Sequence, residues 1–155
     1  MNTNDILTLL MLISTIIIGV IGFLITILQI MKASKIKRAE FIIQLVNLFR
    51  LDDKIVKATH LIDYDEKWYT SEFHNSEKEK CIDALFAEVN YILYLKKYKF
   101  LKKEEYKMFE YIIQKIINNK ECQNYLNFLD FYTSKKKLIC AFCYLLEYYK
   151  SKTKI

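Results

Sequence analysis

From Ile6 to Met31 the chain carries no charged side chain, with Asp5 before the run and Lys32, Lys35, Lys37 and Arg38 after it. A helix rises about 1.5 Å per residue and a bilayer's hydrocarbon core is roughly 30 Å thick, so about 20 residues cross it. The run is long enough to span with a turn to spare, and residues 1–31 are read as an N-terminal transmembrane helix. The remaining residues, 32–155, are enough for one core and are read as a single helical bundle. The positive-inside rule places the Lys/Arg flank in the cytoplasm, with the N-terminus outside. A cleaved signal peptide would carry its positive charge before the apolar stretch, and here the charge follows.

The expected fold class is all-α. The chain has no proline, and both of its glycines, Gly19 and Gly22, fall in the apolar run. The remainder therefore lacks the two residues that most often interrupt helices. Helical spacing of Ile36, Ile42, Ile43, Val46 and Phe49 carries the first helix on to about Arg50 without a flexible linker. A short helix follows over 52–62 with Asp52 or Asp53 as cap, and then a loop from Asp63 to Ser76 that holds the single tryptophan, Trp68. Ser76 and Glu79 have capping-box spacing and open a helix over 77–99. Apolar residues on nearly all its sides make it the central one. Further helices are expected over 102–117, with Glu104 and Glu105 in the first turn, over 121–129, and over 134–150. Leu138, Ile139, Phe142, Leu145 and Leu146 make the last of these a buried helix, too short to span.

Polar and small residues within the spanning helix fall into register. Thr8, Thr15, Gly19, Gly22, Thr26 and Gln29 are spaced by sevens, fours and threes, which puts all six on one helix face. Acyl chains give hydroxyl and amide groups no partner, so this face is expected to meet protein or water. Two readings follow: helices of several copies pack there, or a ring of copies turns it toward an aqueous pore. Lys32, Lys35, Lys37 and Arg38 are expected at the lipid headgroups.

Net charge is +6, and without Asp5 the rest of the chain stands at +7, much of it clustered at Lys96–Lys103, Lys135–Lys137 and the C-terminal tail. A bundle so charged favours an anionic membrane surface over nucleic acid. The segment Tyr91–Tyr111 interleaves lysines with rings that could stack on bases. Helical spacing assigns most of those rings to the core instead. Cys140 and Cys143 form one Cys-x-x-Cys without a second pair or a nearby histidine, so they are expected to be buried structural thiols and not zinc ligands. Asp63, Asp65 and Glu66 read as a solvated acidic loop. A region without glycine can build neither a phosphate-binding glycine loop nor a serine nucleophile elbow. No cofactor, metal site or small-molecule substrate is indicated.

One spanning helix followed by a small Tyr/Phe/Lys-rich helical domain, with the segment Asn90-Tyr91-Ile92-Leu93-Tyr94-Leu95 and the later Glu104-Glu105-Tyr106, resembles a diffuse group of bacterial membrane-anchored helical proteins. It is also similar to the membrane-bound accessory protein of type VI-B CRISPR systems. That resemblance implies a HEPN-like domain, a homo-oligomer that forms a pore in the bacterial inner membrane, a role in antiviral defence, and an RNA-guided nuclease or RNA as partner. It does not extend to the HEPN ribonuclease signature, an Arg followed a few residues on by a His, which neither Arg38 nor Arg50 satisfies. The leading expectation is a non-enzymatic membrane protein whose copies assemble and permeabilise the membrane. The alternatives are a membrane-tethered ribonuclease toxin acting through Arg50 and His60, and a non-catalytic membrane adaptor.

Overall fold

The computed structural model describes residues 3–64 and 66–153, and among them it contains six helices and no strand. They are α1 (Thr3–Leu51), α2 (Asp53–Asp63), α3 (Glu77–Lys97), α4 (Lys103–Asn118), α5 (Lys120–Lys136) and α6 (Cys143–Thr153). The chain divides into two compact units, one ending at Gln44 and one beginning at Leu45. Chemistry and packing thus change at different points along α1. The uncharged run ends at Lys32, whereas among the described residues the first buried side chain is Leu45.

Local signals set most helix starts. The Asp52 carboxylate accepts from the N–H groups of Lys54 (2.9 Å) and Ile55 (3.2 Å) and caps α2. Ser76 accepts from the Glu79 N–H (3.2 Å) and opens α3. The reciprocal half of the expected capping box is displaced by one residue. Asn75 is left-handed (φ 65°), and its N–H, not that of Ser76, reaches the Glu79 carboxylate. At α4 the Glu105 carboxylate accepts from the Lys102 N–H (2.7 Å). Asn119 ends α4 and caps α5 through the Cys122 N–H (3.0 Å).

The core of the second unit is built around α3. Ile82, Leu85, Phe86, Val89 and Ile92 are wholly buried, and α2, α4 and α6 pack on this helix. Ala58 and Ile62 of α2, Ile113 and Ile116 of α4, Leu126 of α5 and Leu145 of α6 complete the buried set. The loop between α2 and α3 belongs to the core as well. Trp68 and Phe73 are each 1% exposed and pack with Tyr125 of α5, at ring distances of 6.4 and 4.9 Å.

Three expectations need correction. The helix expected over 121–129 runs instead to Lys136, and the last helix begins at Cys143 rather than Ser134. Lys137 takes a left-handed conformation (φ 54°), its N–H bonds Ser134 O (3.2 Å), and Leu138 N–H bonds Thr133 O (2.9 Å). That pair is the Schellman pattern, which stops a helix. Leu138 and Ile139 therefore lie outside any helix and are exposed. Cys140 is half-buried and Cys143 exposed, so this pair is not a buried one; Cys81 and Cys122 are the buried thiols. Tyr91 on α3 and Tyr98 just past its end are exposed where core was expected, Tyr91 packing on Tyr94 and Tyr98 on Tyr94 and Tyr144 at the surface.

Candidate functional site: the apolar span and its basic flank

Every described side chain from Ile6 to Met31 is exposed. Large apolar residues dominate, from Ile6 (42%) to Ile18 (70%) and Met31 (53%). Burying such a side chain fully is worth about 1.5–3 kcal/mol, so leaving this many half-exposed to water forfeits on the order of 20 kcal/mol. A whole domain's stability is only about 5–15 kcal/mol. The helix is long and apolar enough to cross a membrane, and none of its apolar window is covered by the rest of the chain.

The polar face is chemically quieter than its composition suggests. Thr8, Thr15 and Thr26 each donate a hydroxyl hydrogen bond to the carbonyl four residues back, those of Asn4 (2.9 Å), Met11 (2.9 Å) and Gly22 (2.8 Å). Their donors are satisfied within the helix and need neither water nor a partner. Ser14, off this face, donates to Met11 O three residues back (2.8 Å). Gln29 has no such local bond and lies two residues before the end of the apolar run. Gly19 and Gly22 provide the space. A Cβ placed on either would meet nothing within 4 Å, so the backbone is bare there. Thr15, Gly19, Gly22 and Thr26 together form a shallow groove edged by methyl groups, a surface suited to close helix approach. Beyond Met31, Lys32, Lys35 and Lys37 are exposed and Arg38 is partly covered. The side chains of Asp5 and Leu9 lie outside the described residues.

The second unit places its other candidate residues apart. Arg50 lines a cavity of about 220 Å³ with Val46, Phe49, Thr59 and Phe109, which His60 does not line. His60 is exposed and turns its ring edge to Tyr64 (6.1 Å). Asp63 pairs with Lys115 (3.4 Å), Glu66 is exposed, and Asp65 lies outside the described residues. Among the described residues no three His, Cys, Asp or Glu side chains come together as a metal would require.

The lysine and tyrosine face of α3 is engaged with itself. Tyr94 packs on Tyr98 (4.9 Å) and Tyr144 (5.3 Å), Lys97 pairs with Glu147 (2.7 Å), and Lys96 lies over the Tyr106 ring (3.6 Å). The rings of Tyr94 and Tyr144 are turned toward one another, while Tyr91, Tyr98 and Tyr111 stay exposed.

One titrating network was not expected from the sequence. His74 Nδ1 lies 2.9 Å from Glu79 Oε1, and Tyr125 donates to Asp83 (2.8 Å) and to Glu79 (3.4 Å). Burial pushes Glu79 up, but hydrogen bonds from His74, the Asn75 N–H and Tyr125 outweigh it and hold the carboxyl below its usual range. Burial raises Asp83, with the Tyr125 hydrogen bond opposing. Burial and the neighbouring carboxylates hold the Tyr125 phenol protonated. The group joins α5 to α3 and, through His74, to the α2–α3 loop, and its participants are spread over residues 74–125, beyond the reach of any local motif.

Comparison with protein-family models, with curated proteins and with solved structures returns no significant match for this chain.

Proposed function

We propose that this is a non-enzymatic membrane protein anchored by Ile6–Met31, whose copies associate through the face carrying Thr8, Thr15, Gly19, Gly22, Thr26 and Gln29. The observation that carries the reading is the complete exposure of an apolar helix too costly to keep in water. The basic flank Lys32–Arg38 puts the bundle on the cytoplasmic side of a bacterial inner membrane, with its lysines at the headgroups. Because the threonine donors are internally bonded, helix packing accounts for the polar face without a water-filled lumen. Permeabilisation of the membrane follows from the second reading of the polar face and from the resemblance; its place in antiviral defence, a HEPN-like cast of the bundle, and an RNA or RNA-guided nuclease partner follow from the resemblance. They form the outer part of the proposal.

The test is the mass of the full chain in a mild detergent, alongside Gly19→Leu/Gly22→Leu. Leucine is the better helix former by about 1 kcal/mol per site, and neither site has a neighbour to clash with. Loss of assembly in the variant therefore reports lost packing and not a damaged helix. Wild-type assemblies that fall to single copies in the variant support the reading. A wild-type chain that is itself a single copy refutes it. Dye release from loaded vesicles then tests permeabilisation: Thr15→Leu/Thr26→Leu/Gln29→Leu abolishes release if that face borders a pore, and undiminished release removes the pore.

A further inference from the structure

The Schellman turn that ends α5 projects a short apolar tip from the second unit. Leu138 is 57% exposed and Ile139 is 91% exposed, while Phe131, on the last turns of α5, is 66% exposed. Three consecutive lysines, Lys135, Lys136 and Lys137, lead into the tip. Lys135 lies near the Phe131 ring (5.9 Å), and Lys136 lies over Tyr132 (4.3 Å) and donates to its hydroxyl. Lys137 is the left-handed residue of the turn. No acidic residue occurs between Asp130 and Glu147, and these two are paired with Lys150 (2.7 Å) and Lys97 (2.7 Å). Among the described residues none of the three lysines has an ion-pair partner.

A loop tip facing water favours polar residues, and a protein partner fitted to three lysines would have to bring acidic groups. A second copy of this tip would bring more lysine. An apolar point beside three lysines without ion-pair partners matches one surface well: phosphate headgroups take the ammonium groups while the aliphatic tip enters the headgroup–acyl boundary. We infer that the segment Lys135–Ile139, with Phe131, docks onto an anionic lipid bilayer. The inference rests on the membrane-anchor reading, which keeps lipid at high effective concentration and lets a weak contact stay occupied.

The experiment uses the full chain in vesicles of phosphatidylglycerol or phosphatidylcholine. Resistance to alkaline extraction is established first, since a chain that washes off overturns the anchor reading itself. Ile139→Trp, with the wild-type signal of buried Trp68 subtracted, is then compared in plain and acyl-brominated lipid. Docking predicts blue-shifted emission quenched by bromine in phosphatidylglycerol, and little quenching in phosphatidylcholine. Each lysine near an anionic surface contributes about a factor of five, so Lys135→Glu/Lys136→Glu/Lys137→Glu lowers the docked population on the order of 100-fold and removes the quenching. Phe131→Trp serves as a second reporter and should behave alike. An integrated chain whose introduced tryptophan emits as in water and is unquenched overturns the inference while leaving the anchor standing. Blue-shifted emission that bromine never quenches means that protein, such as a second copy, covers the tip, and it overturns the inference too.

Discussion

Asn90 holds the start of α6 from the middle of α3. Its Oδ1 accepts from the N–H groups of Tyr144 (2.9 Å) and Leu145 (3.1 Å), and its Nδ2 donates weakly to Ala141 O (3.5 Å). A helix leaves its first N–H groups without internal partners, and a preceding Ser, Thr, Asp or Asn usually takes them. Here the preceding residue is Phe142, so a side chain distant in sequence supplies the oxygen. Asn90→Leu keeps the size and removes the acceptor. Losing a cap costs about 1 kcal/mol, and stranding a donor at the buried Leu145 adds about 1–2 kcal/mol. The expected loss is about 2–3 kcal/mol, read by urea unfolding of the detergent-solubilised full chain with Trp68 emission as probe. Asn90→Asp keeps an oxygen that accepts both bonds, and a carboxylate at a helix N-terminus gains about 0.5 kcal/mol, which offsets the lost contact to Ala141. It should stay within about 1 kcal/mol of wild type at pH 7. Equal destabilisation by Asp and Leu, or a silent Asn90→Leu, would refute the capping role. Hydrogen exchange gives the same test locally: protection at Tyr144 and Leu145 should fall in the leucine variant and persist in the aspartate one.

Two further perturbations have signed outcomes. Lys99 sits in the left-handed region (φ 61°) at the end of α3, and a side chain there costs about 1 kcal/mol, so Lys99→Gly should raise stability by about 0.5–1 kcal/mol in the same urea assay. Burial raises the Asp83 carboxyl, so its charged form is disfavoured in the folded chain. Asn at that position still accepts from Tyr125, and the advantage of Asp83→Asn should therefore be least below the unfolded value of about 3.9. It should grow as pH rises through the raised folded value and then level off; an advantage that shrank with rising pH would reverse the assigned sign.

The sequence reveals what short-range chemistry decides. Asp52, Ser76 and Asn119 are capping residues set beside regular apolar spacing, so their helices begin within a residue or two of where the spacing puts them. The span is equally legible, because a long uncharged run has few other uses. Periodicity fails where a residue's side of the helix depends on a neighbour distant in sequence. The cap from Asn90, the Trp68 cluster with Tyr125, and the network of His74, Glu79, Asp83 and Tyr125 all join residues more than 40 apart or lie in the irregular loop.

The α5–α6 connection shows the failure most clearly. Apolar spacing from Leu138 to Leu146 resembles a buried helix, and in a region without glycine nothing marks Lys137 as the left-handed stop. Once that turn forms, Phe142, Leu145 and Leu146 enter the core while Leu138 and Ile139 are left outside. An apolar side chain left outside has the same physical standing as the exposed span of α1. Each carries surface that this chain does not cover, and lysine adjoins both: Lys32, Lys35 and Lys37 after the span, Lys135, Lys136 and Lys137 before the tip. Lipid of negative charge suits both, which ties the proposed anchor and the proposed docking tip to one kind of surface.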